Sequence, residues 1–167
     1  MGVDAPPRAY RARALPASKV AQAYPLVQAA VPGITLERWR AFYESIEHLA
    51  QVSAKRQGQD AAGVMAIEDT RGYLRGLFSY RVGPDLRHGA TLTVADIIIL
   101  DLFDAESVAE VLLEAIEVLA RALGCAGVHA LLPMEAEALR MRLQREGLRA
   151  EALVLCSTKP LSMMDGA

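Results

Sequence analysis

The stretch TLTVADIIILDLFDAESVAEVLLEAIEVLARALG, residues 91–124, decides the fold. Its first part, Thr91 to Leu102, is rich in β-branched residues and almost continuously apolar, which predicts a central strand buried on both faces. Its second part changes period. From Ala105 to Leu123 the apolar positions Val108, Val111, Leu112, Ala115, Ile116, Leu119 and Leu123 fall on one helical stripe. Glu110, Glu114, Glu117 and Arg121 fall on the other. Asp104 is placed to cap this helix and Gly124 to stop it. A short apolar strand follows at Ala126 to Leu132, closed by Pro133, so the stretch reads as a strand–helix–strand crossover.

Upstream, Gly63 to Asp69 and Tyr73 to Val82 read as strands joined at Thr70-Arg71-Gly72, a hairpin signal. Leu74, Phe78, Tyr80 and Val82 are expected on one face of the second strand, Arg75 and Arg81 on the other. Gly83 to Gly89 is predicted as a turn-rich loop. Nearer the N-terminus, Arg8 to Leu15 alternates as a short strand. Pro16 to Val31 has helical spacing, with Pro25 set to kink or restart it. A second helix starts with Thr35 as its N-cap. It carries Trp39, Phe42, Tyr43, Ile46 and Leu49 before fading into a polar loop, Ser53 to Asp60. Downstream, Glu135 to Glu146 is a helix with acids first and arginines last, an order that suits its dipole. Gly147 ends it, and Leu148 to Ser157 is predicted as a final strand. The order β-α-α-β-β-β-α-β-α-β, with an antiparallel middle and one crossover, is that of an α/β (α+β) chain built on a mixed sheet. A single domain is expected over residues 8–159, with 1–7 and 160–167 as flexible termini.

Composition narrows the function. The 167 residues are 53% hydrophobic and 23% charged with a formal net charge of −2, which indicates a globular chain. No Lys/Arg-rich stripe is present, so no nucleic-acid partner is expected. The longest aliphatic run, Ile97 to Leu100, falls far short of the roughly 20 residues that span a bilayer, so no membrane partner is expected either. Met1 to Pro7 lacks the design of a signal peptide, which makes the cytoplasm the expected compartment. Cys125 and Cys156 form no CxxC and read as buried strand thiols. No His, Cys or carboxylate pair has metal-ligand spacing, so no metal is assigned.

The element order resembles that of the GNAT N-acetyltransferases over roughly Tyr10 to Lys159. The likeness is strongest in the last third, where strand, long helix, strand and short helix end at Glu146-Gly147-Leu148. Family members usually have Gly-Phe at that point, before a last strand that runs out near a lysine; Lys159 follows here. The resemblance implies acetyl-CoA or CoA as cofactor, a small-molecule amine as acceptor, and transfer of an acetyl or other acyl group between them. It places the cofactor on Leu100, Leu102, Asp104, Ser107, Val108 and Ala109. Of the family's Arg/Gln-x-x-Gly-x-Gly/Ala cradle, aligned on Asp104, Ser107 and Ala109, only Ala109 fits. No glycine lies between Gly89 and Gly124, and Asp101, Asp104 and Glu106 add negative charge where a pyrophosphate would sit. Leu143 stands where many members carry a proton-donating tyrosine. Asp96, flanked by Ala95 and Ile97, is the candidate base, and His88 is a second candidate because histidine changes charge near neutral pH. The first two helices, with Glu44 and Glu47, would shape the acceptor pocket. These departures raise the alternative of a non-catalytic GNAT-like protein that senses a ligand or mediates an interaction. Strand edges left open by the fold would pair two copies as a homodimer.

Overall fold

The structure, a computed structural model, describes residues 9–55, 61–152 and 154–155. Its strands are β1 (Tyr10–Ala14), β2 (Ala62–Asp69), β3 (Leu74–Asp85), β4 (Gly89–Ile99) and β5 (Gly127–Ala130). Its helices are α1 (Val20–Ala30), α2 (Leu36–Lys55), α3 (Ala105–Ala122) and α4 (Glu137–Arg145). The strands form one sheet in sequence order, antiparallel from β1 to β4 and parallel between β4 and β5. The mixed α/β sheet is therefore as the sequence predicts. The chain divides into two compact units, Met1–Leu132 and Pro133–Ala167. The termini expected to be flexible, 1–7 and 160–167, lie outside the described residues, as does Cys156.

In the first unit the sheet buries side chains on both faces, because strand residues alternate. Val64, Ala66, Leu77 and Ile98 pack with Val20, Ala23, Leu26 and Val27 of α1 and with Trp39 and Tyr43 of α2. Ile67, Phe78, Val82, Leu92 and Val94 pack on the other face with Val108, Leu112 and Ile116 of α3. The buried aromatics keep their polar ends satisfied. Trp39 Nε1 donates to the Val20 carbonyl at 2.7 Å and the Tyr43 hydroxyl to the Leu15 carbonyl at 2.8 Å. Thr35 caps α2 as expected, its hydroxyl accepting from the Arg38 amide at 3.1 Å.

Several boundaries differ from expectation. A 3-10 turn, Ala17–Lys19, precedes α1, which then runs through Pro25 without a restart. Helix α2 continues to Lys55, into the segment expected as a loop, and residues 56–60 lie outside the described set. Gly83 to Asp85, expected in a loop, extend β3 and pair with Thr91 to Gly89. Pro84 is tolerated there for a geometric reason. The Val82 amide donates toward β2, to the Ala61 carbonyl, so the missing donor two residues on points past the end of β2. Cys125 precedes β5 rather than lying in a strand, and burial pushes its thiol up from the ordinary range.

Two bulges alter which way side chains face. Glu68 pairs with Leu74 but Ile67 with Gly76, so Arg75 is an extra residue in β3. Leu74 consequently packs toward α1 and α2, not with Phe78, Tyr80 and Val82 as simple alternation predicts. In β4, Leu77 pairs with Ile98 and Ser79 with Ala95, leaving Asp96 and Ile97 opposite Phe78 alone. Leu92 and Val94 face α3 before this bulge; after it Ile97 and Ile99 do, while Ile98 faces the other way.

In the second unit α4 ends at Gly147, whose φ of 94° lets its amide return to the Gln144 carbonyl. Leu143, which stands where many members of the resembled family carry a tyrosine, is buried. The expected last strand does not form over residues 148–152 or 154–155; residues 153, 156 and 157 lie outside the described set. Alternation supplies strand propensity, but only a partner's ladder of hydrogen bonds fixes a strand.

Candidate functional site

The β4 bulge places Asp96 in the left-handed region, with φ of 50°. Among the described residues it is the one non-glycine residue with positive φ. Aspartate tolerates this conformation better than most side chains, yet it stores strain there. The side chain is exposed and turned back on β3, where the buried Ser79 hydroxyl donates to Asp96 Oδ2 at 2.5 Å. Ser79 and Leu77 lie on the same face of β3, so the pair sits on the face covered elsewhere by α1 and α2.

Beyond this pair the same face becomes polar. Arg81, Val82, Gly83, Pro84 and Asp85 of β3, Thr91 and Thr93 of β4, and His129 of β5 line a cleft of about 360 Å³. At its end Asp85 Oδ1 accepts the amides of Arg87 at 2.9 Å and His88 at 2.8 Å. Those two amide bonds, the His88 one foremost, hold the Asp85 carboxyl below the usual carboxylate range. His88, read from sequence as a lone loop histidine, is not alone. Its Nδ1 lies 3.1 Å from Asp85 Oδ1 and 3.2 Å from His129 Nε2, with the two rings edge to face. The two candidate catalytic residues are not brought together. Asp96 lies seven steps along β4 from Gly89, roughly 23 Å at ~3.3 Å per step. His48 is exposed on α2.

A larger groove, about 620 Å³, runs between β1 and α3 over Ala12, Met65, Val111 and Leu119. Neither Asp96 nor the histidines line it.

The segment between β4 and α3 carries the residues expected to hold a cofactor. Leu100 and Leu102 are exposed, and Val108 and Ala109 are turned into the core. Asp104 caps α3, accepting the Ser107 amide at 3.3 Å. Asp101, not among the expected residues, organises the loop. Its Oδ1 accepts the amides of Phe103 at 2.8 Å and Asp104 at 2.9 Å. Its Oδ2 accepts the Tyr10 hydroxyl at 3.2 Å and lies 3.7 Å from Arg75 Nε. The Phe103 and Asp104 amides, followed by Tyr10 and Arg75, keep this carboxyl below its ordinary range. Burial, then the charges of Asp101 and Asp104, raises the Tyr10 hydroxyl. Three amides around the head of α3, those of Phe103, Asp104 and Ser107, are thus already bonded to the chain's own carboxylates. A pyrophosphate brought there meets negative charge and fewer open donors, which weakens the hold of this loop on that group.

The signals for these roles were present but weak. Asp69, Asp85 and Asp101 each stand two residues before an amide that they bind, the pattern of an Asx turn. The bulge that selects Asp96 left no mark on the sequence pattern.

The sequence matches no family model and no curated protein. Solved structures do match. An aminoglycoside N-acetyltransferase, AAC(6')-Iy, in complex with CoA, is similar with a TM-score of 0.69 at 16% identity, over 90% of this chain and 95% of that one. A ribosomal-protein-alanine N-acetyltransferase from Brucella melitensis biovar Abortus 2308 gives 0.67 at 15%, over 89% and 98%. Glucosamine-6-phosphate N-acetyltransferase from Arabidopsis thaliana gives 0.63 at 15%, over 89% and 97%. The chain has the fold of the GNAT N-acetyltransferases. No described helix is long and apolar enough to cross a membrane.

Proposed function

We propose that the chain is a divergent acyltransferase that moves an acetyl or related acyl group from CoA to a small amine. The observation that carries this reading is Asp96, held by Ser79 in a strained bulge at the border between apolar and polar halves of one sheet face. Bulges of this kind re-aim a side chain beside an active site. A small amine arrives as an ammonium ion and is not a nucleophile until it loses a proton. Asp96, with Oδ2 fixed by Ser79, offers its other oxygen to take that proton. Acyl-CoA would supply the activated thioester. The acids of the α3 loop weaken its pyrophosphate end, so binding is expected to be loose.

A second reading rests on that loop. Because Asp101 and Asp104 occupy the amides of Phe103, Asp104 and Ser107, the protein would have lost CoA chemistry and would serve as a ligand-sensing or interaction module of the same fold.

Titration calorimetry with acetyl-CoA separates the two. The first reading expects weak saturable binding by the parent chain. Asp101→Asn should bind more tightly, by roughly 3- to 10-fold, since one like charge is removed while an acceptor for the two amides remains. Saturable acetylation of a polyamine or amino-sugar by the parent, lost in Asp96→Asn, completes that case. No heat and no thermal stabilisation at millimolar acetyl-CoA, for parent and Asp101→Asn alike, would leave the second reading standing.

A further inference from the structure

We infer that Asp85, His88 and His129 form a binding site for a divalent transition-metal ion of the Zn²⁺ class. One carboxylate oxygen and two imidazole nitrogens, one from each residue, all lie within 4.8 Å of one another. Two of the three separations are 3.1 and 3.2 Å. Ligands bound tetrahedrally at ~2.0 Å sit ~3.3 Å apart, so His88 Nδ1 already stands at ligand spacing from both partners. Two imidazoles and a carboxylate form a donor set suited to Zn²⁺ and its neighbours, with room for water in the remaining position. The cleft beside His129, lined by Thr91, Thr93 and Arg81, gives an entry path and space for that water.

The ligands are held from behind. The amides of Arg87 and His88 fix the Asp85 carboxylate on the hairpin, as outer-shell donors orient metal ligands elsewhere. Thr93 and His129 are partners in the β4–β5 register, which sets the height of His129 on the sheet. Gly127, beside it on β5, makes room: a Cβ there would stand 3.4 Å from the His88 Cβ. An ion would tie the β3–β4 hairpin to β5, joining segments 41 positions apart. The short range of sequence explains why spacing alone gave no warning: Asp85 and His88 are three residues apart on one turn, and the third ligand arrives through the fold.

The test uses the whole chain without added histidines, dialysed against EDTA. Zn²⁺ alone is titrated by calorimetry, and Co²⁺ binding is followed by visible absorption. The expected result is one equivalent of Zn²⁺, with affinity reduced at least ~10-fold in His129→Ala and in His88→Ala and unchanged in Cys125→Ser. The Co²⁺ spectrum of the parent should show nitrogen and oxygen coordination without thiolate charge-transfer bands, a readout that stands even if a histidine variant misfolds. Absence of saturable binding at high micromolar Zn²⁺ would overturn the proposal. So would an affinity indifferent to His129→Ala, or thiolate bands that vanish in Cys125→Ser.

Discussion

Asp96 carries the strongest conflict between stability and role. Its backbone strain disappears if glycine replaces it, because glycine occupies positive φ without a Cβ clash. Asp96→Gly should therefore unfold at equal or slightly higher denaturant concentration, within about 1 kcal/mol of the parent, despite losing the Ser79 bond. Acyl transfer, under the proposed function, should fall in the same variant. Urea denaturation beside an acetylation assay reads both quantities; a loss of several kcal/mol would mean that the carboxylate is a structural support. Single residues were legible in the sequence where chemistry is local. Thr35 and Asp104 were recognisable as caps, Gly124 and Gly147 as stops, and Asp96 as an acid out of place on a strand. His88 was visible too, but its partners were not, since Asp85 reaches it through a turn and His129 through the sheet.

At the scale of elements, helices were easier to read than strands. A helix stripe such as Val108, Leu112, Ala115 and Ile116 is fixed within its own segment, and α3 follows the reading closely. A strand's register depends on neighbours elsewhere in the chain, so neither bulge was foreseen and Leu74 was assigned to the wrong face. The strand–helix contact has a point that tolerates no enlargement. At Gly76 an added Cβ would stand 3.0 Å from the Ile98 carbonyl and 3.2 Å from Val108 Cγ1, with backbone on one side and the foot of α3 on the other. Gly76→Ala should cost about 1–3 kcal/mol by overpacking, measured as a lower midpoint in chemical denaturation. An unchanged midpoint would show that α3 can shift aside freely.

For the molecule as a whole, three aspartates link stability to pH in the same direction. Asp69, Asp85 and Asp101 each have a folded-state carboxyl below its ordinary value. At Asp69 burial works the other way, but the Arg75 bond and the amides of Tyr73 and Arg71 together outweigh it. A depressed folded value means that the unfolded chain takes up protons first as pH falls. The stabilisation is therefore complete at neutral pH and is lost below about pH 4, as the medium passes from the ordinary carboxyl range through the folded values. Melting temperature should be level near neutrality and drop steeply in acid, and Asp101→Asn should reduce that drop. A melting temperature that holds to about pH 3 would contradict the assignment. The same fold-wide view shows what no local pattern supplied: the polar half of one sheet face gathers Ser79, Asp96, Thr93, His129 and Asp85 from three strands.

The bulge at Asp96 has a consequence for how this sheet tolerates change in length. Ile97, Ile98 and Ile99 are chemically identical, so the strand beyond the bulge buries isoleucine on either face whichever way it is phased. Hydrophobicity is degenerate there, and it does not choose between the bulged and the straight ladder. Loss of one residue at position 96 would set Ile97 opposite Phe78 and keep Ile98 opposite Leu77, so both cores stay filled and the head of α3 keeps its place. The core would absorb such a deletion; only the geometry at the site would record it. The bulge is a removable splice in this strand, pinned in place by the Ser79–Asp96 bond.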